Sequence, residues 1–455
     1  MITARAFAGK HYAVLGLARS GLATVEALLA SGARVTAWDD DSVAREALCS
    51  GEGRSPGQGS GLRRSAAITD YAAADLTQFD SIVVTPGLPL NRHPIASRAK
   101  DAGVEIIGDI ELFARARPEL PPHKVVGITG TNGKSTTTAL VHHILQTAGV
   151  PSLMGGNIGL PILSRDPLSE GGVYVLELSS YQIDLTKSLD CDVAVILNIT
   201  PDHLDRYESF EAYAASKARL LLMQSADHKS VINWECFMRG LINPTAAGFN
   251  GFDLLKEKWQ ADWPALQGPH NLENASAAYD ACNWITINPN QDEVEHTVYG
   301  PKEISPSIIL EALRTFPGLP HRMERIRERE GVLFVNDSKA TNAEAAAPAL
   351  AAYPKVRWIV GGRAKGETLG DTANHLDHVA AAYTIGEAGP MFARLLRAAG
   401  ATVIECETLE NAVKRAAEDS QAGDTVLLSP ASASFDQFTD FEARGERFRE
   451  LVGAL

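Results

Sequence analysis

The run Gly127-Ile-Thr-Gly-Thr-Asn-Gly-Lys-Ser135 sets three glycines, a lysine and a serine between an apolar stretch and an amphipathic one. A strand, a glycine-rich turn and a helix in that order surround a polyphosphate with backbone N–H groups and the positive end of the helix. Lys134 would neutralise the terminal phosphates and Ser135 would reach a magnesium ion. The spacing departs from the strict P-loop in one place, because Ile128 stands where that pattern has its first glycine. Glu177, inside Leu176-Glu-Leu-Ser-Ser-Tyr-Gln182, ends an apolar run. An acid at a strand end beside a phosphate-binding turn is placed to hold magnesium, directly or through water.

Other polar groups fall at similar positions. Asn198 and Thr200-Pro-Asp-His-Leu-Asp205 follow the next apolar run. His203 reads either as a metal ligand or as a loop histidine capping a helix, which is the commoner fate. Lys217, in Tyr213-Ala-Ala-Ser-Lys217, is by spacing alone an ordinary helix lysine. Near the start of the chain, Gly16-Leu-Ala-Arg-Ser-Gly21 joins a strand to a helix, with Ala18 in place of the middle glycine of the dinucleotide fingerprint. Asp39, Asp40 and Asp41 follow roughly 20 residues later, where ribose or base hydroxyls are read. That pairing fits a nucleotide-containing ligand, or else a tight turn followed by a solvated acidic loop. Thr85-Pro86-Gly87 adds a second close backbone approach.

The elements that must position these groups alternate strand and helix almost from end to end. Strands are predicted over 12–17, 34–38, 81–85 and 104–107, then 124–128, 173–178 and 192–197, then 332–335, 357–360, 382–385, 402–405 and 425–428. Helices are predicted over 20–30, 136–148 and 439–451 among others. Residues 51–65, rich in Gly, Ser and Arg, read as a surface loop. Prolines crowd 118–122 and Phe316-Pro-Gly-Leu-Pro320, marking two junctions. The expected fold is α/β in three consecutive domains: Rossmann-like over 1–120, a central P-loop ATPase type over 121–318, and Rossmann-like over 319–455. A length of 455 residues agrees with three domains at about 150 each. With 42 Lys and Arg against 56 Asp and Glu, the net charge of −14 argues against a nucleic-acid binder. Five scattered cysteines without a CxxC pair suit reduced thiols rather than zinc or disulfides. No signal-peptide core opens the chain and no run of about 18 apolar residues occurs, so a cytoplasmic protein is expected.

Taken together, the phosphate turn, Met154-Gly-Gly-Asn-Ile-Gly159, Leu176-Glu-Leu-Ser-Ser-Tyr181, Asn198-Ile-Thr-Pro-Asp-His-Leu-Asp205 and His270-Asn-Leu-Glu-Asn274 resemble the Mur ligases of peptidoglycan synthesis. Asn336-Asp-Ser-Lys-Ala-Thr-Asn342 and Ser429-Pro-Ala-Ser-Ala-Ser-Phe-Asp436 resemble the branch that adds D-glutamate. The resemblance spans the chain except 233–262 and 291–306. It implies an ADP-forming ligase that joins D-glutamate to UDP-N-acetylmuramoyl-L-alanine through an acyl phosphate, as a monomer in the bacterial cytoplasm, using ATP and two magnesium ions. The first domain would then bind the UDP sugar, the second ATP, and the third the amino acid.

By that resemblance, Arg19, Ser20, Asp39, Asp40, Gly87, Asn157 and His203 contact the UDP substrate. Gly130, Thr131, Asn132, Gly133, Lys134, Ser135 and Thr136 contact ATP, with Asn271, Asn274, Arg322 and Asp337 from the far side of the second junction. Lys339, Thr341, Lys365, Ser434 and Phe441 surround D-glutamate. Ser135 and Glu177 hold one magnesium, and His203 and Lys217 the second. A free ammonium cannot ligate a cation, so Lys217 would be carbamylated. Lys134, His203 and Lys217 form the implied catalytic set. Two competing readings are a sister ligase acting on another amino acid or on folate, and a regulator that hydrolyses ATP slowly. The third-domain motifs count against the first, and the combined metal and substrate motifs against the second.

Overall fold

The computed structural model describes residues 1–50, 65–72, 74–203, 205–241, 249–251, 255, 257–286, 304–364 and 366–455. The loop expected at 51–65, apart from its last residue, and Lys365 lie outside these. Three sheets organise the chain. In the first, five parallel strands run in the order Ala67–Ile68, Arg34–Trp38, His11–Leu15, Ser81–Val84, Glu105–Ile107. The second holds six parallel strands, ordered Phe249–Gly251, Lys229–Ile232, Val193–Ile196, His123–Thr129, Gly172–Glu177, Ser152–Gly156. The third is ordered Glu324–Arg329, Val332–Asn336, Thr425–Leu428, Val356–Gly361, Val379–Ile385, Val403–Glu407.

Most of these strands are apolar along their length because helices cover both faces of a parallel sheet. Ser81–Val84, Gly172–Glu177, Val193–Ile196 and Thr425–Leu428 are buried at every position. One strand breaks the pattern. Glu324–Arg329 pairs antiparallel with Val332–Asn336 at the edge of the third sheet. Its sequence, Glu-Arg-Ile-Arg-Glu-Arg, leaves most side chains exposed, so it lacks the apolar run that marks the others. Charge on an edge strand also blocks pairing with other chains.

The chain folds into two compact units: residues 1–253 with 276–312, which hold the first two sheets, and residues 254–275 with 313–455, which hold the third. The stretch 254–275 thus clusters with the third sheet although it precedes the second proline junction. Among the described residues, no helix is long and apolar enough to cross a membrane.

Within the first unit, one buried carboxylate fastens helix Asp109–Ala116 to the chain beyond Ser180–Asp184. Glu111 is 1% exposed. It accepts from Arg115 Nε at 2.8 Å, Ser188 Oγ at 2.9 Å, and the N–H groups of Lys187 at 2.7 Å and Ser188 at 2.9 Å. Glu111→Ala would strand these donors. A loss of about 3–5 kcal/mol is expected, read as a lower urea midpoint for the first unit with far-UV circular dichroism unchanged. A midpoint within error of the parent would show that water replaces the carboxylate.

Candidate active site

The phosphate turn forms where the strand His123–Thr129 hands over to the helix Lys134–Thr147. Ile128 is still part of the strand, paired with Glu177 on one side and Val195 on the other. A residue with strand backbone has no need of glycine, so the departure from the strict P-loop is a later start of the turn. Gly133, at the helix N-terminus, has φ +83°, a conformation that favours glycine. Helix geometry aims the first-turn N–H groups of Lys134, Ser135 and Thr136 towards the turn. Asn198 braces the turn from the neighbouring strand. Its Oδ1 accepts from the N–H groups of Asn132 at 2.8 Å and Thr131 at 3.1 Å, and its Nδ2 donates to Asn132 O at 3.2 Å. The Lys134 ammonium lies over the turn, donating to Gly130 O at 2.9 Å and Thr131 O at 2.7 Å.

Lys217 enters the same turn from the helix Phe210–Leu222. It is 1% exposed, and its Nζ donates to Gly130 O at 2.8 Å over the face of Tyr213. Burial, reinforced by the Lys134 cation, pulls its pKa well below the ordinary lysine value. The amine is thus biased towards its neutral form. His203 shares this environment. Burial lowers its pKa, and the Lys134 cation adds to the effect against Asp202. Its φ of +55° is unusual for a residue with a side chain, and such strain tends to be kept at functional positions.

Glu177 ends its strand beside Ile128, 2% exposed. Asn157 Nδ2 donates to its Oε1 at 2.8 Å, while Oε2 is buried without a partner among the described residues. Gly156 allows this approach, because a Cβ there would lie 2.1 Å from Glu177 O. A buried carboxylate oxygen lacking a donor is costly, and a hard cation or its bound water would satisfy it. The donor set therefore fits magnesium. It is not a preassembled cage: no group of three or more His, Cys, Asp or Glu side chains suited to a metal occurs among the described residues. An ion here would depend on phosphate oxygens and water for most of its shell.

In the first sheet, Gly16 has φ +90°, and a Cβ on Gly21 would lie 1.8 Å from Gly16 O, so both glycines are required for the turn to close. Asp39 Oδ2 accepts from Leu17 N at 2.6 Å and Oδ1 from Asp41 N at 2.9 Å, which fixes the turn against the acidic loop. Asp40 accepts from Trp38 Nε1 at 3.2 Å. Arg19 Nη2 donates to Gly159 O at 2.8 Å, and Ser20 lies in the first turn of Arg19–Ala30. Gly87 O accepts from Arg206 Nη1 at 3.3 Å, and Arg206 also donates to Leu88 O at 2.9 Å and lies over Tyr181. Arg206 thereby ties the His203 loop to the first sheet.

In the second compact unit, Asn271 and Asn274 are buried and bonded to each other at 3.1 Å. Asn271 also reaches Met323 Sδ at 3.8 Å, and Met323 N donates to Asp337 Oδ1 at 3.2 Å. Ser429 Oγ donates to Asp337 Oδ2 at 2.7 Å. Burial pushes the Asp337 carboxyl up to about 7, against the pull of Ser429 and Arg322. Lys339 Nζ lies 3.6 Å from the Phe441 ring centroid, Thr341 precedes the cap of helix Ala343–Ala351, and Ser434 is 2% exposed.

Three family models match in chain order: the Mur ligase MurD-like N-terminal domain over 10–108, the Mur ligase middle domain over 128–247, and the Mur ligase glutamate ligase domain over 321–432. The UDP-N-acetylmuramoylalanine–D-glutamate ligase of Novosphingobium aromaticivorans is 56% identical over 461 residues, covering 100% of this chain and 97% of that protein. The chain belongs to the Mur ligase family. The corresponding ligase of Zymomonas mobilis is 52% identical, with both chains covered in full. Two solved Mur ligases of Thermotoga maritima, the UDP-N-acetylmuramate–alanine ligase and the MurF ligase in complex with ADP, share its fold. Each has a TM-score of 0.55, at 17% and 16% identity, and both alignments cover 98% of this chain and 99% and 96% of theirs.

This Mur ligase also uses residues that sequence reasoning missed. Arg444, 1% exposed, donates to Ser338 Oγ at 3.0 Å, Ser338 O at 2.9 Å and Ser432 O at 3.1 Å. It clamps the loop carrying Lys339 to the one carrying Ser434. Its only sequence signal is a spacing of three residues from Phe441 along one helix. Arg206 had no signal of its own, because its hydrogen-bond acceptors are backbone carbonyls.

Proposed function

We infer that this chain is an ATP-dependent, ADP-forming ligase that joins D-glutamate to UDP-N-acetylmuramoyl-L-alanine, working in the cytoplasm as a monomer. The single observation that carries the reading is Lys217, a buried lysine with a suppressed pKa held on the carbonyl of the phosphate turn beside Lys134. The full-length relatives and the glutamate ligase domain supply the substrate class. The domain limits proposed for this activity are 1–120, 121–318 and 319–455.

A carboxylate is a poor acyl donor. Transfer of the γ-phosphoryl group of ATP to the alanyl carboxylate makes an acyl phosphate and ADP. The amine of D-glutamate then attacks the carbonyl carbon, loses a proton, and expels phosphate. All reactants are anionic, so the protein's task is charge neutralisation and alignment. Lys134, over the turn, would face the phosphates. Ser135 and Glu177 would hold one magnesium, with His203 and Lys217 serving a second. The metal supplies charge stabilisation on the phosphoryl oxygens. For Lys217 we propose carbamylation: the neutral amine adds to carbon dioxide, a nitrogen–carbon bond forms, and a proton leaves. Asn271, Asn274, Arg322 and Asp337 are proposed ATP contacts, and Arg19, Ser20, Asp39, Asp40, Gly87 and Asn157 contacts to the UDP substrate. Lys339, Thr341, Lys365, Ser434 and Phe441 are proposed to surround D-glutamate, with the lysines opposite its carboxylates.

Phosphate release separates this reading from its rivals. ATP alone should give background, as should ATP with UDP-N-acetylmuramoyl-L-alanine. Adding D-glutamate should start turnover, and L-glutamate, L-alanine and L-lysine should be slower by roughly a hundredfold or more. Equal rates with L-glutamate would remove the stereospecific assignment. Full-rate release from ATP alone would favour the regulator.

A further inference from the structure

The loop 87–92 follows the strand Ser81–Val84 of the first sheet, and the loop carrying His203 and Arg206 precedes the helix Phe210–Leu222 beside the second. Side chains of each loop donate to backbone carbonyls of the other. Arg206 Nη1 donates to Gly87 O at 3.3 Å, and its Nη2 to Leu88 O at 2.9 Å. In return, Arg92 Nη2 donates to Asp205 O at 2.8 Å and Asn91 Nδ2 to the same oxygen at 3.3 Å. The guanidinium carbon of Arg206 lies 4.4 Å from the Tyr181 ring centroid, which is 5.1 Å from that of His203. Arg206 N also donates to His203 O at 2.9 Å. The residue that reaches the first sheet therefore closes the turn that carries His203.

These two loops serve opposite ends of the proposed UDP substrate. Gly87 is assigned above to the uridine diphosphate end. The alanyl carboxylate has to reach the γ-phosphate of ATP, and His203 stands near enough to the phosphate turn to feel the Lys134 cation. A ligand held at both ends binds as a chelate: once one end is seated, capture of the other depends on the separation of the two sites. The first two sheets share one apolar core, which includes Ile2, Phe113, Ile162 and Tyr174. The bodies of the sheets are thus held by packing, and the bridge has only to fix the loops at their ligand-facing ends.

Arginine suits that task. Its planar fork presents N–H groups side by side, matched here to two successive carbonyls, while its face covers an aromatic ring. The geometry points to Arg206 as a positioning residue for the ligase reaction. By holding the Gly87 and His203 loops at one separation, it lets the uridine diphosphate and alanyl ends of UDP-N-acetylmuramoyl-L-alanine bind together as one unit. The inference rests on the substrate reading proposed above.

Isothermal titration calorimetry on the full chain tests this by comparing UDP with UDP-N-acetylmuramoyl-L-alanine. The parent chain should bind the whole substrate more tightly than UDP. Arg206→Ala should weaken the whole substrate at least about tenfold and change UDP by less than about twofold, because the other groups of the first-sheet turn are untouched. Arg206→Lys should behave like Arg206→Ala, since one ammonium cannot serve two carbonyls while covering the Tyr181 ring. Equal weakening of both ligands would make Arg206 a support of the first-sheet turn alone and overturn the proposal. Unchanged affinity for the whole substrate, or full recovery in Arg206→Lys, would overturn it too. A parent chain that binds UDP as tightly as the whole substrate has no chelate to lose, which is equally fatal. A parent chain that binds neither compound would defeat the substrate reading and this inference with it. If Arg206→Ala fails to fold by circular dichroism, Arg206→Lys decides the question.

Discussion

Replacing Lys217 by alanine should lower the ligase rate by about a thousandfold, with ATP binding close to that of the parent chain. The argument starts from burial. Lys217 is 1% exposed, and its amine sits on Gly130 O beside the Lys134 cation. A cation there would oppose any magnesium in the turn. A neutral amine can instead add carbon dioxide and present two oxygens, the donors magnesium prefers. Because the depressed pKa leaves more free amine at neutral pH, carbamate is favoured above that pKa and lost as the pH falls through it. Depleting bicarbonate should therefore slow the parent enzyme, and more strongly at lower pH. A short carboxylic acid added to Lys217→Ala should restore measurable turnover by filling the same space. Near-parent activity in Lys217→Ala, or rescue that fails while bicarbonate has no effect, would sink the carbamate.

Glu177→Gln is the second large effect expected. The substitution keeps the shape of the side chain and an oxygen for Asn157, but removes the charge shared by Oε2, which is buried without a donor among the described residues. Loss of a magnesium ligand should cost roughly a hundredfold or more in kcat/KM and shift the magnesium requirement upwards. Stability should move the other way. An uncompensated buried carboxylate opposes folding, so its neutral isostere should unfold at an equal or higher temperature. That opposition separates a functional acid from a structural one. A variant that melts earlier with an unchanged magnesium requirement would place Glu177 in the scaffold alone.

Much of this was legible in the residues. Glycines flanking a lysine, between an apolar run and an amphipathic one, specify a strand–turn–helix because each part is local: φ freedom, a helix start, a buried strand. The strands 34–38 and 425–428 were read to the residue, since each has a buried middle of mostly apolar, β-favouring residues bounded by turn signals. Edge strand Glu324–Arg329 was not, because exposure on most of its length leaves no apolar signature.

What tertiary structure alone decided is the environment of the site. Nothing around Lys217 in the sequence distinguishes it from any helix lysine. Its lowered pKa arises from burial and from Lys134, which lies 83 residues away in the chain, 217 − 134. Among the described residues, one oxygen of Glu177 likewise lacks a partner because Asn157, just past the strand Ser152–Gly156, occupies only one side of the carboxylate. The grouping of Asn271 with Asp337 passes through Met323, a residue with no signal of its own. Local sequence determines where a chain bends and which face it buries. Desolvation and charge at a site depend on which distant groups the fold carries there, and only the packed structure sets those distances.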